Sequence, residues 1–169
     1  IEVPQGAIRL NTDSQRLEFF AQDRWHEFAV DSPILDGGTR GIFAGGFSPG
    51  NSDRIDFISI NQLGNATDFG NLTVARAAAG AAASRTRGLM FGGTSPNTNT
   101  IDYWTISSTG DAQDFGDIAN AGHWTQAASN QTRAVTAGGN SIGNVINFVQ
   151  IATTGNAKDF GDLTYKSPA

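Results

Sequence analysis

The chain contains no cysteine among its 169 residues. That rules out a disulfide framework, a thiolate metal site and a cysteine nucleophile, and leaves the redox compartment open. Histidine is nearly absent too. His26 and His123 are far apart in sequence, so no histidine-based zinc centre, and no bound metal or cofactor, is expected. Eleven Lys and Arg face sixteen Asp and Glu, for a net charge of −5. The chain therefore lacks the basic footprint of a nucleic-acid partner. No run approaches the ~18 apolar residues of a membrane-spanning helix, and no signal-peptide pattern is present, so membrane insertion is not expected. Charged residues are only 16% of the chain, far from the composition of disorder. Ile1 is an unusual first residue, because a bulky second residue hinders removal of Met. It leads to the expectation of proteolytic processing or an upstream segment.

What the chain does have is a threefold repeat. The first copy carries Thr39-Arg40-Gly41-Ile42-Phe43-Ala44-Gly45-Gly46, then Ile55-Asp56-Phe57-Ile58-Ser59-Ile60, then Gly64-Asn65-Ala66-Thr67-Asp68-Phe69-Gly70. The second opens at Thr86-Arg87 and continues through Gly92-Gly93, Ile101-Asp102-Tyr103 and Asp114-Phe115-Gly116. The third opens at Thr132-Arg133 and continues through Gly138-Gly139, Ile146-Asn147-Phe148 and Asp159-Phe160-Gly161. Thr-Arg recurs after 47 and then 46 residues, and Asp-Phe-Gly after 46 and then 45. A period of this size means stacked supersecondary units and outranks any shorter motif. Repeats build surfaces, so binding or assembly is expected rather than catalysis.

The expected fold class is all-β: three antiparallel repeats of about 46 residues, shaped like propeller blades, behind a small N-terminal β-meander. The meander covers 1–30, with strands at Arg16–Phe20 and Arg24–Phe28 and turns at Asn11-Thr12-Asp13-Ser14 and Gln22-Asp23. Trp25 is its expected apolar anchor. A linker over 31–38 leads to the array over 39–169, divided as 39–85, 86–131 and 132–169. In each repeat one strand enters the Gly-Gly pair, where φ > 0 or a close backbone approach is expected. A polar loop follows (Ser48-Pro49-Gly50 or Ser95-Pro96-Asn97), then the Ile-Asp-Phe strand and the Asp-Phe-Gly strand. The alanine-rich segment 74–84 suits a helix by propensity, but the period leaves room for a close-packed fourth strand. On that division the third copy lacks its fourth segment. Its open edge needs a cover, from the N-terminal meander or a neighbouring subunit, and a homo-oligomer is expected.

The Gly-Gly placement and period are similar to Kelch-type propeller repeats, although the Tyr and Trp of that pattern are missing from copies one and three. Ile151-Ala152-Thr153-Thr154-Gly155-Asn156-Ala157-Lys158-Asp159-Phe160-Gly161-Asp162-Leu163-Thr164 resembles more closely the repeats of short virion structural proteins of tailed phages, especially phages of marine cyanobacteria. That resemblance covers 39–169. Val3-Pro4-Gln5-Gly6-Ala7-Ile8-Arg9-Leu10-Asn11-Thr12-Asp13-Ser14, with Leu17-Glu18-Phe19 and Trp25, looks like a small module of phage fibre and appendage proteins. The resemblance implies a non-enzymatic protein at the virion surface, with other capsid or tail proteins as partners and Trp25 in an attachment module. It supplies no catalytic residues.

Individual motifs agree with a structural reading. Asp-Phe-Gly occurs in kinases, but the rest of the kinase signature is missing. Phe69, Phe115 and Phe160 are expected as core plugs, each followed by a glycine at a turn or bulge and preceded by an Asp bonded to nearby amides. Asp56 with Asp53 and Asn51, or Asp102 with Asn99 and Asn97, could supply some of the several oxygens a divalent cation needs, but an ordinary polar strand face is expected instead. Neither histidine neighbours a nucleophile elbow, and no carboxylate pair stands out for glycoside hydrolysis. Arg40, Arg87 and Arg133 read as one structural element. Trp104, in the slot of Ile58 and Val149, is expected in the core or at a subunit interface. One departure carries a functional expectation. Gly122-His123-Trp124 falls where the first repeat has Ala77–Ala79, allowing one deletion. His123 and Trp124 are therefore the candidate contact for a protein partner or a host-surface glycan.

Overall fold

The computed structural model describes residues 3–12, 16–28, 38–94 and 96–165. The linker expected over 31–38 lies outside them except for Gly38. So do Ile1, Asp13, Ser14, Ser95 and residues 166–169. Among the described residues the fold is all-β, with fourteen strands in four antiparallel sheets and no helix. The chain divides into two compact units, 1–34 and 35–169.

The smaller unit is a three-stranded meander, β1 (Ile8–Asn11), β2 (Arg16–Ala21) and β3 (Arg24–Glu27), in that spatial order. Gln22 and Asp23 have φ of 53° and 59°, the double left-handed geometry of a two-residue hairpin turn. Phe20 and Trp25 face each other across β2 and β3, their rings edge to face at 5.3 Å.

The larger unit holds three sheets. The first is β4 (Arg40–Ala44), β5 (Arg54–Ser59) and β6 (Thr67–Asn71). The second is β7 (Gly80–Ala83), β8 (Arg87–Phe91), β9 (Thr100–Thr105) and β10 (Gln113–Asp117). The third is β11 (Gln126–Ser129), β12 (Arg133–Ala137), β13 (Val145–Gln150) and β14 (Lys158–Asp162). Register repeats from sheet to sheet: Arg40 opposes Ser59, Arg87 opposes Thr105, and Arg133 opposes Gln150. In each sheet the Asp-Phe-Gly strand carries a bulge. Gly70, Gly116 and Gly161 pair with Ile55, Ile101 and Ile146, while the preceding Phe is the extra residue.

The alanine-rich segment differs from the sequence reading in its allegiance. It does hold a strand, β7, but β7 pairs with β8 and so begins the second sheet instead of ending the first. By the same phase β11 begins the third sheet, which is complete with four strands. The C-terminal repeat thus has its fourth strand. Within the larger unit, the sheet with three strands among the described residues is the first.

Sheets are joined face to face by a core of paired side chains. Ile55, Phe69 and Leu72 of the first sheet and its exit pack with Met90, Trp104 and Ile106 of the second repeat. Ile101, Phe115 and Ile118 pack likewise with Ala134, Val149 and Ile151. Each fully buried side chain of this size stabilises by ~1.5–3 kcal/mol. The Gly-Gly pairs let the backbones meet. A Cβ on Gly45 would sit 2.5 Å from the Arg76 carbonyl oxygen, and one on Gly92 would sit 2.6 Å from that of Gly122.

Candidate functional site

Trp124 stands just before β11, in the slot that Ala78 occupies before β7. Both residues are left-handed, with φ of 56° and 54°. The alignment needs no deletion, unlike the sequence reading. Gly46 N donates to Arg76 O at 3.0 Å and Gly93 N donates to Gly122 O at 2.8 Å, so Gly122 matches Arg76 and His123 matches Ala77. Trp124 N donates to Ala78 O at 2.6 Å, which fixes the turn against the preceding sheet. His123 is held by main-chain bonds in both directions with Asn140. The two rings meet edge to face at 4.7 Å. His123 Nδ1 is buried without a hydrogen-bond partner, whereas Trp124 is 56% exposed. The pair therefore presents one flat, fixed apolar ring to solvent, suited to stacking on a sugar or a protein surface.

The other tryptophans are committed to packing. Trp25 is half-buried between Phe20 and the Arg9 guanidinium, which lies 4.1 Å above its ring. Arg9 is in turn held by Glu18 at 2.8 Å. Trp104 is buried against Gly88, where even a Cβ would collide with its ring.

The recurring polar residues join strand to strand and sheet to sheet. Arg40 Nη1 donates to Ile106 O at 2.8 Å, and Arg87 Nη1 donates to Ile151 O at 2.9 Å. Each guanidinium stacks 4.7 Å from an aromatic ring, Phe57 or Tyr103, and Arg133 stacks on Phe148 at 5.3 Å. Asp114 and Asp159 accept from the N–H of Gly116 and Gly161, so these aspartates brace the bulges. Asp102 is fully buried. Its carboxylate accepts from Thr73 N at 3.0 Å and Thr73 Oγ1 at 2.6 Å, and lies 3.0 Å from the buried Arg76 Nη2. Burial holds the Arg76 guanidinium below its ordinary pKa, and Asp102 partly offsets that. Of the oxygens suggested for a cation, those of Asp102 are engaged by Thr73 and Arg76. Among the described residues no three His, Asp or Glu side chains converge as metal ligands.

Two features escaped the sequence reading. One is the Arg76–Asp102 pair. Its only sequence signal is that Arg76 and Asp102 become Gly122 and Asn147 one repeat later. The other is a pair of equivalent open clefts, of about 500 Å³ beside Tyr103, Asp111 and Gln113 and about 440 Å³ beside Phe148, Asn156 and Lys158. Arg87, Tyr103 and Asp111 line the first, and Arg133 and Lys158 line the second. Among the described residues no helix is long and apolar enough to cross a membrane. No protein-family model matches the chain, and none of the curated proteins matches it.

Proposed function

We propose that this chain is a non-enzymatic structural protein on the surface of a tailed-phage particle, built as three propeller-blade-like repeats behind an attachment module. The observation that carries the reading is the use to which recurring polar residues are put. Arg40 and Arg87 reach the next repeat's carbonyls, and Asp114 and Asp159 brace bulges. Residues repeated for assembly are what a decoration or appendage protein needs. The virion-like run Ile151–Thr164 supplies the context. The clamp of Trp25 by Arg9 and Phe20 gives the small unit a rigid body for attachment.

The second reading is a tail-fibre or adhesin subunit that binds host-surface polysaccharide, and the exposed Trp124 ring favours it. Mass spectrometry of gradient-purified particles tests the first reading: peptides of this chain should copurify with particles at structural stoichiometry, and their absence overturns it. Binding of the purified chain to host polysaccharide, lost on Trp124→Ala, would move the assignment to the adhesin. Release of reducing sugar would contradict the non-enzymatic reading.

A further inference from the structure

The contact that joins one repeat to the next is made twice within the chain, through equivalent residues. Gly110 N donates to Phe69 O and Ala112 N to Asn71 O, at 2.7 and 2.8 Å, while Asp111 Oδ1 accepts from Asn71 N. One repeat on, Gly155 N donates to Phe115 O and Ala157 N to Asp117 O, at the same distances, while Asn156 Oδ1 accepts from Asp117 N. A loop of Gly-Asp/Asn-Ala thus docks on the outer edge of the preceding Asp-Phe-Gly strand.

Both halves of a third such contact are left over. The receiving edge is β14. Phe160 there is 56% exposed, against 2% and 3% for Phe69 and Phe115. A Cβ on Gly161 would meet nothing within 4 Å, whereas those on Gly70 and Gly116 run into the docked loop. The donating loop is Gly64-Asn65-Ala66, all exposed. Beside it Ile60 is 69% exposed, while its equivalents Ile106 and Ile151 are buried. Phe43 is likewise exposed, while its equivalents Met90 and Thr136 are buried.

We propose that the occupant of each half is the other half on a second copy of this chain, and that two copies close head to tail into one ring of six sheets. Gly64 N and Ala66 N donate to Phe160 O and Asp162 O of the neighbour, and Asn65 Oδ1 accepts from its Asp162 N. Arg133 reaches Ile60 O as Arg87 reaches Ile151 O. Thr164 donates to Asp56 as Thr73 does to Asp102. A leftover edge and a leftover loop that are complementary and different make a heterologous contact, which must close or run on. Rings of such sheets hold about four to eight units, and two copies of three is the one multiple of three in that range. This assembly deepens the repeat reading and does not depend on where in a particle the protein sits.

Sedimentation velocity of the purified chain tests it. The expected species has twice the chain mass. Ile60→Asp and Phe160→Asp, both at exposed positions, should each give folded monomers, judged by an unchanged β-type circular dichroism spectrum. Mixed, they should recover a two-copy species through the one intact contact. A wild-type monomer at 100-fold dilution and at high concentration alike would overturn the proposal. So would a ladder growing with concentration, or a dimer that survives both substitutions.

Discussion

Arg76 and Asp102 form an ion pair with both side chains at 0% exposure, and in the next repeat both partners are gone together. Gly122 stands where Arg76 would, and Asn147, also fully buried, stands where Asp102 would. Asn147 Oδ1 still accepts a main-chain N–H, from Ala119, as Asp102 does from Thr73. The hydrogen bond is kept and the charge is removed where no guanidinium remains to balance it. Asp102→Asn alone should therefore strand the Arg76 charge and destabilise the larger unit by about 3–5 kcal/mol. The double substitution Arg76→Gly with Asp102→Asn, copying the neighbouring repeat, should lose less than the single one. Urea unfolding of the three proteins checks this coupling.

Gly116 and Gly161 share a backbone conformation, φ of 139° and 138°, but not an environment. A Cβ at Gly116 would be 2.6 Å from Gly155 O, while one at Gly161 meets open space. In the Ile60→Asp background, where no neighbouring loop lies on β14, Gly161→Ala should cost only the backbone strain, ~1–3 kcal/mol. Gly116→Ala should cost that and a further ~1–3 kcal/mol for the displaced loop. Thermal unfolding of the two variants isolates the sheet-to-sheet contact from the strain common to both.

Glu18 gives the small unit a pH dependence. Hydrogen bonds from Asn11 and then Arg9 hold its carboxyl below the ordinary value of 4.5. A carboxylate depressed in the folded state adds stability above its unfolded pKa and loses it as pH falls through the folded value. Amide exchange in β1–β3 should therefore quicken as pH drops below about 4.5, after correction for intrinsic rates. Glu18→Gln should remove that dependence and leave β4–β14 unaffected.

Trp124 is exposed in a turn that Ala78 adopts equally well, so Trp124→Ala should leave stability within about 0.5 kcal/mol. A larger loss in thermal unfolding would make the ring a packing element and remove the reason to regard it as a contact surface.

The repeat was legible because its punctuation is chemical: Gly-Gly where backbones approach, and Asp-Phe-Gly where a bulge needs a glycine and a bracing carboxylate. Trp124 was legible as a large ring in an alanine slot. The phase of the sheets was not. Residues 80–83, Gly-Ala-Ala-Ala, have no polar–apolar alternation, so nothing local says whether that strand closes one sheet or opens the next. The Arg76–Asp102 pair was hidden for a related reason. Its members belong to different sheets' surroundings, and only the paired change to Gly122 and Asn147 betrays the contact.

Immunogold electron microscopy of intact particles with an antibody against residues 39–169 tests the proposal that the chain is a surface component of a virus particle. Gold on the particle exterior is the expected result. Label over the head would assign decoration of the capsid, and label on tail or fibres would bring host recognition and Trp124 forward. Particles that stay unlabelled while the same antibody detects the chain in infected-cell lysate would overturn the proposal.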